Sequence, residues 1–396
     1  MTITTPLSLG VVPFNHPQLE GAELRYISET LAIMHISGDG TFTKRCRTLL
    51  EESLGVMAAL LTTSCTHALE MAALLLDLQP GDEVLVPSFT FVSSANAFVL
   101  HGARPVFVDI RPDTLNIDEC LVEQKITART KAIVVVHYAG VAAEMEKLTD
   151  LAHKHSLVIV EDNAHGLYGK YKGRFLGRFG AMATLSFHET KNFTCGEGGA
   201  LLLNDPDRVG RAEIIREKGT NRNQFFRGQV DKYTWVDVGS SYLPSDLLAA
   251  YLYAQLERRD MIQERRSQIW HYYDQHLTTW AAECNVQLPY VPAHCEQAYH
   301  MYYLIMPSLA HRQAMIRHLS MCKVNSVFHY LPLHLSPMGQ RFGGKVGECP
   351  VAERVSDCLL RLPFFNGLTT AQQDQVIESV QAFDFSAASI DLHGGS

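Results

Sequence analysis

Short apolar runs at 83–87, 103–110, 132–138, 157–162 and 183–187 each end in polar or glycine-rich residues. Helix-patterned stretches at 68–78 and 142–155 stand between some of them. Runs that are apolar throughout, rather than alternating, belong to strands covered on both faces. Strands that take turns with helices build a parallel sheet, because each return to the same sheet edge needs a crossover. The expected fold class is therefore α/β, with a doubly wound, mostly parallel sheet. A further strand is expected at 199–204.

The remainder of the chain reads as a lead-in and a second unit. Residues 20–34 and 41–54 are patterned as helices, separated by the turn Ser37-Gly38-Asp39-Gly40. Gly-Asp-Gly suits a phosphate site or a simple turn. Residues 205–245 read as a long polar connection. Pro244-Ser245-Asp246 then opens one long helix, 246–277. The predicted division is a large domain at 1–255 and a smaller α+β domain at 256–396. The smaller one has strands at 302–306 and 325–329 and helices at 310–319 and 370–383. The tail 386–396 is small and polar and is expected to be loose.

Composition removes several classes of function. A net charge of −8 and a pI near 6.1 give no basic footprint for nucleic acid. No apolar run reaches membrane-spanning length. The first lysine or arginine is Arg25, so the charged start of a secretory signal is missing. The 9 cysteines include no Cys-x-x-Cys, which favours free thiols in a reducing cytosol. A cytoplasmic protein is expected. His329 and His334 are spaced for neither a helix face nor a strand face, so no metal site is read there. Gly-x-Gly-x-x-Gly is absent after the first strand, against a nicotinamide dehydrogenase.

The chemistry concentrates in two strand ends. Lys191 follows the apolar run 183–187 and precedes Gly196-Glu197-Gly198-Gly199. A lysine in a desolvated pocket is held neutral, which makes it a nucleophile for a carbonyl. Asp162 ends the run Val158-Ile159-Val160-Glu161. A pyridine-ring cofactor needs both groups, a lysine for its aldehyde and a carboxylate to keep its ring nitrogen protonated. The pair points to pyridoxal 5′-phosphate (PLP). Alone, Lys191 would be an ordinary surface lysine and Asp162 an ordinary strand-end acid. Ser64 or Thr66 is placed to cap helix 68–78, whose free N–H groups suit a phosphate. Phe91, at the end of Pro87-Ser88-Phe89-Thr90-Phe91, is placed either to stack on a flat ring or to fill the core. Arg222, Arg227 and Lys232 lie on the connection 205–245, as phosphate ligands or as solvated charges.

Taken together, Thr66-His67-Ala68-Leu69, the stretch 80–84, Pro87 to Phe91, Glu161-Asp162-Asn163-Ala164-His165, Ser186 to Lys191 and Gly196 to Gly199 resemble the DegT-type PLP-dependent nucleotide-sugar aminotransferases. The resemblance runs from about residue 12 to 368. It implies the type I fold of PLP enzymes and a homodimer with active sites shared at the interface. It implies L-glutamate as amino donor and a dTDP-4-keto-6-deoxy sugar as acceptor. Position by position it gives Lys191 the cofactor aldehyde, Asp162 the ring nitrogen and Phe91 the ring face. Cys65, through its N–H, Thr66 and Ser186 would take the phosphate. His165 stands where most relatives have glutamine beside the ring hydroxyl. Ser241 stands where relatives bring an asparagine from the partner subunit. Gly239 to Pro244 and His329 to His334 further resemble the members that make dTDP-4-amino-4,6-dideoxygalactose, which makes His329 a candidate substrate contact. Related sugar dehydratases carry histidine in place of the lysine, and a non-catalytic sensor would not need the Asp162–Lys191 pair. Lys191 argues against both.

Overall fold

The computed structural model describes residues 10–388. Its centre is a seven-stranded sheet. In chain order the strands are β1 (Ala58–Thr62), β2 (Glu83–Pro87), β3 (Arg104–Val108), β4 (Thr130–Val136), β5 (Val158–Asp162), β6 (Met182–Ser186) and β7 (Gly199–Leu203). Their spatial order is β1-β7-β6-β5-β4-β2-β3. Strands β3, β2, β4, β5 and β6 pair in parallel, while β7 runs antiparallel to both β6 and β1. Every strand except β7 therefore points the same way, and their C-terminal ends share one edge. This is the mostly parallel α/β sheet expected from the sequence.

Alternate residues of each strand enter different cores, as the two-residue side-chain period requires. Leu60, Val84, Val86, Val134 and Val160 pack on one face with the helix Cys65–Leu75. Leu61, Leu85, Ile133, Val135 and Ile159 pack on the other. Burial on both faces explains why these strands read as continuous apolar runs.

Buried carboxylates tie the lead-in to the helix Asp246–Glu257 and a loop to β5. Asp246 is buried and accepts from Phe42 N (3.1 Å), Thr43 N (2.7 Å) and Thr43 Oγ1 (2.8 Å), the first turn of the helix Thr41–Leu54. A carboxylate there satisfies helix-start N–H groups and meets the positive end of the helix dipole. A Cβ at Gly40 would come 2.4 Å from Asp246 Oδ2, so only glycine lets the two approach. Glu161 is likewise fully buried, accepting from Gly177 N, Phe179 N and Gly180 N at 2.7 Å each.

The C-terminal part has a three-stranded antiparallel sheet in which β10 (Leu359–Arg361) lies between β8 (Tyr303–Ile305) and β9 (Val327–Phe328). It is covered by the helices Leu309–Met321 and Thr370–Gln381. The connection 205–245 contains the helix Pro206–Arg216, capped by Asp205, and the short helix Arg222–Phe226, so it is not one irregular segment. The long helix expected at 246–277 is two helices, Asp246–Glu257 and Arg259–Glu283, broken at Arg258. Apolar periodicity continues across the break, but Leu256 and Ile262 face the lead-in helices while Ile269 and Trp270 face the C-terminal core. The helix after β1 starts at Cys65, earlier than 68, because Ser64 is the cap and its side chain accepts from His67 N at 3.1 Å. Of the tail, 389–396 lies outside the described residues, and Phe385–Ala388 is a short helix. Among the described residues no helix is long and apolar enough to cross a membrane.

Candidate active site

A cavity of about 520 Å³ opens at the shared strand edge. The sheet, through Asp162 and Ser186, and the start of the helix Cys65–Leu75, through Cys65 and Thr66, supply one wall. The C-terminal unit supplies the facing wall through His300, His329, Tyr330 and Arg361.

Asp162 is the last residue of β5, and its side chain projects opposite to that of Glu161. Ser94 Oγ donates to Asp162 Oδ2 at 2.6 Å, and Ala164 N donates to Oδ1 at 3.2 Å. The carboxylate is thus fixed and only 6% exposed. Buried carboxylates need such partners to remain charged.

Lys191 sits in the loop between β6 and β7. Phe187 N donates to Gly198 O and Glu189 N to Gly196 O, and Thr194 Oγ1 donates to Phe187 O, so the loop is closed on itself. Gly196 has φ +85°, a left-handed conformation natural to glycine. A Cβ at Gly199 would stand 2.4 Å from Cys65 N. That glycine lets β7 lie against the N-terminus of the helix Cys65–Leu75, where free N–H groups face the cavity. Removal from water pushes the Lys191 ammonium down to about 8, although Cys65 and Asp162 favour its charge. Its neutral form is therefore accessible near neutral pH.

Lys191, Asp162, Cys65, Thr66, Phe91, His165, Ser186 and His329 all line this one cavity. Phe91 is 56% exposed, its ring at the cavity rather than in the core. His165 stacks on His300 (centroids 4.1 Å apart, planes 16° apart) and lies 6.1 Å from the His329 ring. Burial and the nearby Lys191 and Arg361 charges hold the His165 imidazole well below its usual range. His165 Nδ1 is buried and has no hydrogen-bond partner. His300 Nδ1 is 2.8 Å from Asn192 Oδ1, and His329 Nδ1 is 2.9 Å from Tyr138 Oη.

Arg222, Arg227, Lys232 and Ser241 stand outside the cavity of their own chain, all on exposed backbone. Arg227 Nη2 pairs with Glu213 Oε1 at 2.5 Å, and Arg222 Nη1 with Glu217 Oε1 at 3.4 Å. Cavity residues that the sequence did not single out include Ser93, His300 and Arg361. For Arg361 there was a signal, a lone charge inside Leu359-Leu360-Arg361-Leu362.

The residues fit PLP: a lysine of lowered basicity, an anchored carboxylate, a helix start with hydroxyls, an aromatic face and an unpartnered buried imidazole nitrogen converge on one space. Residues 17–381 match the model of the DegT/DnrJ/EryC1/StrS aminotransferase family. The chain is 31% identical to GDP-perosamine synthase of Escherichia coli O157:H7, over 94% of this chain and 98% of that one. It resembles the aminotransferase TlmJ from Streptoalloteichus hindustanus, with 32% identity, a TM-score of 0.85, and 96% and 99% of the two chains covered. It also resembles the putative sugar aminotransferase Spr1654 from Streptococcus pneumoniae in its PMP form, with 28% identity, a TM-score of 0.88, and 96% and 100% covered. The chain belongs to the DegT/DnrJ/EryC1/StrS aminotransferase family. It is a sugar aminotransferase, and PLP is its cofactor.

Proposed function

We propose that this protein transfers the amino group of L-glutamate to C4 of a dTDP-4-keto-6-deoxyhexose, giving dTDP-4-amino-4,6-dideoxygalactose and 2-oxoglutarate, the step that serves enterobacterial common antigen synthesis. The observation that carries the reading is the meeting of Lys191 and Asp162, from different strand ends, in one cavity of a family aminotransferase. The acceptor rests on the resemblance of Gly239 to Pro244 and His329 to His334.

Lys191 would hold the cofactor aldehyde and Asp162 the pyridine nitrogen. Phe91 would cover the ring, and Cys65 N–H, Thr66 and Ser186 would take the phosphate. When bound, PLP supplies an electron sink for the carbanion at the donor's Cα. Neutral Lys191 takes the Cα proton of glutamate as general base. In the second half-reaction the same amine handles the proton at the sugar carbon that gains nitrogen. Asp162, held by Ser94, would face the ring nitrogen. His165, in place of glutamine, offers an imidazole nitrogen where the ring hydroxyl would lie. Ser241 would reach the phosphate of a second copy in a cytoplasmic homodimer, and Arg222, Arg227 and Lys232 would face the nucleotide diphosphate.

A GDP-linked keto sugar is the second reading, favoured by the likeness to GDP-perosamine synthase. The test is a panel of dTDP- and GDP-linked 4-keto-6-deoxy sugars with L-glutamate, the product configuration at C4 read by NMR. Turnover of the dTDP sugar to the galacto product supports the first reading. Turnover of GDP sugars alone selects the second, and turnover of none overturns both.

A further inference from the structure

Arg361 is a cation without an anion. It ends β10, the central strand of the C-terminal sheet, where alternate residues face opposite ways. Leu360 and Leu362 enter the C-terminal core, while Leu359 packs toward the large sheet and Arg361 lines the cavity. Among the described residues no carboxylate lies within ion-pair distance of it. Among the described residues its one hydrogen bond is from Nη2 to Phe328 O at 3.3 Å, and its guanidinium lies 4.8 Å from the Phe14 ring centroid. Its Nε is buried and makes no hydrogen bond. The residue is half-buried, and this partial removal from water lowers its pKa. Charged groups so placed are ordinarily paired, because desolvation is otherwise uncompensated.

The missing anion is narrowed by what faces Arg361. Its charge acts on Lys191, His165, His300 and His329, and all four are shifted toward their neutral forms partly by it. It therefore belongs to the reacting end of the cavity. The helix start at Ser64, Cys65 and Thr66, on the sheet wall, already offers N–H groups and hydroxyls for a phosphate. An arginine fork matches a carboxylate through two parallel hydrogen bonds, and neutral imidazoles beside it add donors without opposing charge.

We propose that Arg361 binds a carboxylate of the amino donor, an assignment that rests on the aminotransfer reading above. The donor, a dicarboxylate, supplies the anion that Arg361 lacks, and its departure as a keto acid clears the site for the sugar. Arg361 is then a binding residue of one half-reaction and not of the other.

The test uses the PLP-loaded protein with glutarate, a dicarboxylate that has no amine, and with L-glutamate, both followed by visible absorbance. Arg361→Met should keep its bound PLP and its affinity for dTDP while losing 30-fold or more in affinity for glutarate and glutamate. Arg361→Lys should recover part of that loss. Equal affinity for both acids in wild type and Arg361→Met overturns the assignment alone. So does a loss confined to dTDP, which would make the anion a diphosphate. A wild-type protein that responds to neither acid overturns the aminotransfer reading and this assignment together. If neither variant folds, a crystal structure of the wild-type protein with glutarate decides. A carboxylate within hydrogen-bond distance of the guanidinium supports the proposal, and one bound elsewhere overturns it.

Discussion

The cavity at the strand edge and the arm at 217–241 are built on opposite rules. In the cavity, polar groups are buried and held by the sheet and its neighbours, as Asp162 is by Ser94. In the arm, apolar groups are exposed: Phe226 is 67% exposed, Trp235 77% and Val238 52%. Buried polar groups and exposed apolar groups both go against the ordinary sorting of side chains, and both call for something absent from a lone chain. The cavity calls for a cofactor and substrates. The arm calls for a cover, which the proposed homodimer supplies. Under the proposed homodimer the cavity carries the reacting groups, while the arm carries the assembly and, through Ser241, reaches a second copy's site, so substitutions in the two regions should weigh differently on turnover and on self-association.

The largest effect is expected at Lys191. Lys191→Ala should cut turnover by at least ~10²–10⁴-fold, the contribution of a positioned general base, while the arm and the sedimentation behaviour stay as in wild type. Steady-state kinetics and analytical ultracentrifugation check both halves of that statement. The same residue sets a pH dependence. Its pKa is lowered from 10.5 to about 8, so below that value the amine carries a proton and is unreactive. Cofactor-free protein should therefore capture PLP faster as pH rises through about 8 and level off above it, measured by stopped-flow absorbance. A rate flat from pH 6 to 10 would deny the amine that role.

Asp162→Asn keeps the shape and the Ser94 contact but removes the charge. Losing one charge-assisted bond costs roughly 1.5–3 kcal/mol, so cofactor affinity should fall by one to two decades and turnover by more. Near-wild-type values for both would remove Asp162 from the site. Trp235→Ser works on the other region. It should weaken self-association by roughly tenfold or more, the worth of burying one large aromatic, while the fold of the single chain is kept. Unchanged sedimentation would show that the arm is not the cover's seat.

The smallest effect on folding is expected at Arg227. Its pair with Glu213 has an arginine side chain 49% exposed. Glu213 is buried, but Arg47 also stands 3.8 Å from its carboxylate, so Arg227→Ala should lower the melting temperature only modestly. Under the proposed diphosphate role it should weaken the sugar nucleotide and spare the glutamate half-reaction. Equal losses in both half-reactions would indicate general damage instead.

This contrast also marks what the sequence makes legible. Strands β2 to β6 are covered on both faces, so their runs are apolar throughout and easily read. Lys191 and Asp162 were legible because each ends such a run. The helix Ser93–Val99 was not, since Ser93-Ser94-Ala95-Asn96 has no apolar period and its stability comes from packing. The break at Arg258 was hidden because periodicity records which face is buried and not against what. Arg361 and His300 reach the cavity from the C-terminal unit, and no local pattern reports which distant wall a side chain will face. The arm residues Arg222, Arg227 and Lys232 looked like anion ligands by composition, but the sequence carries no mark of whether their own chain's cavity or another surface receives them.

The central claim is that Lys191 carries the cofactor in the strand-edge cavity. Borohydride reduction of the PLP-loaded protein, followed by peptide mapping, tests it most directly. The account predicts one labelled peptide, with the label on Lys191. A label on any other lysine, or a PLP-bound protein that takes up no label, would contradict it.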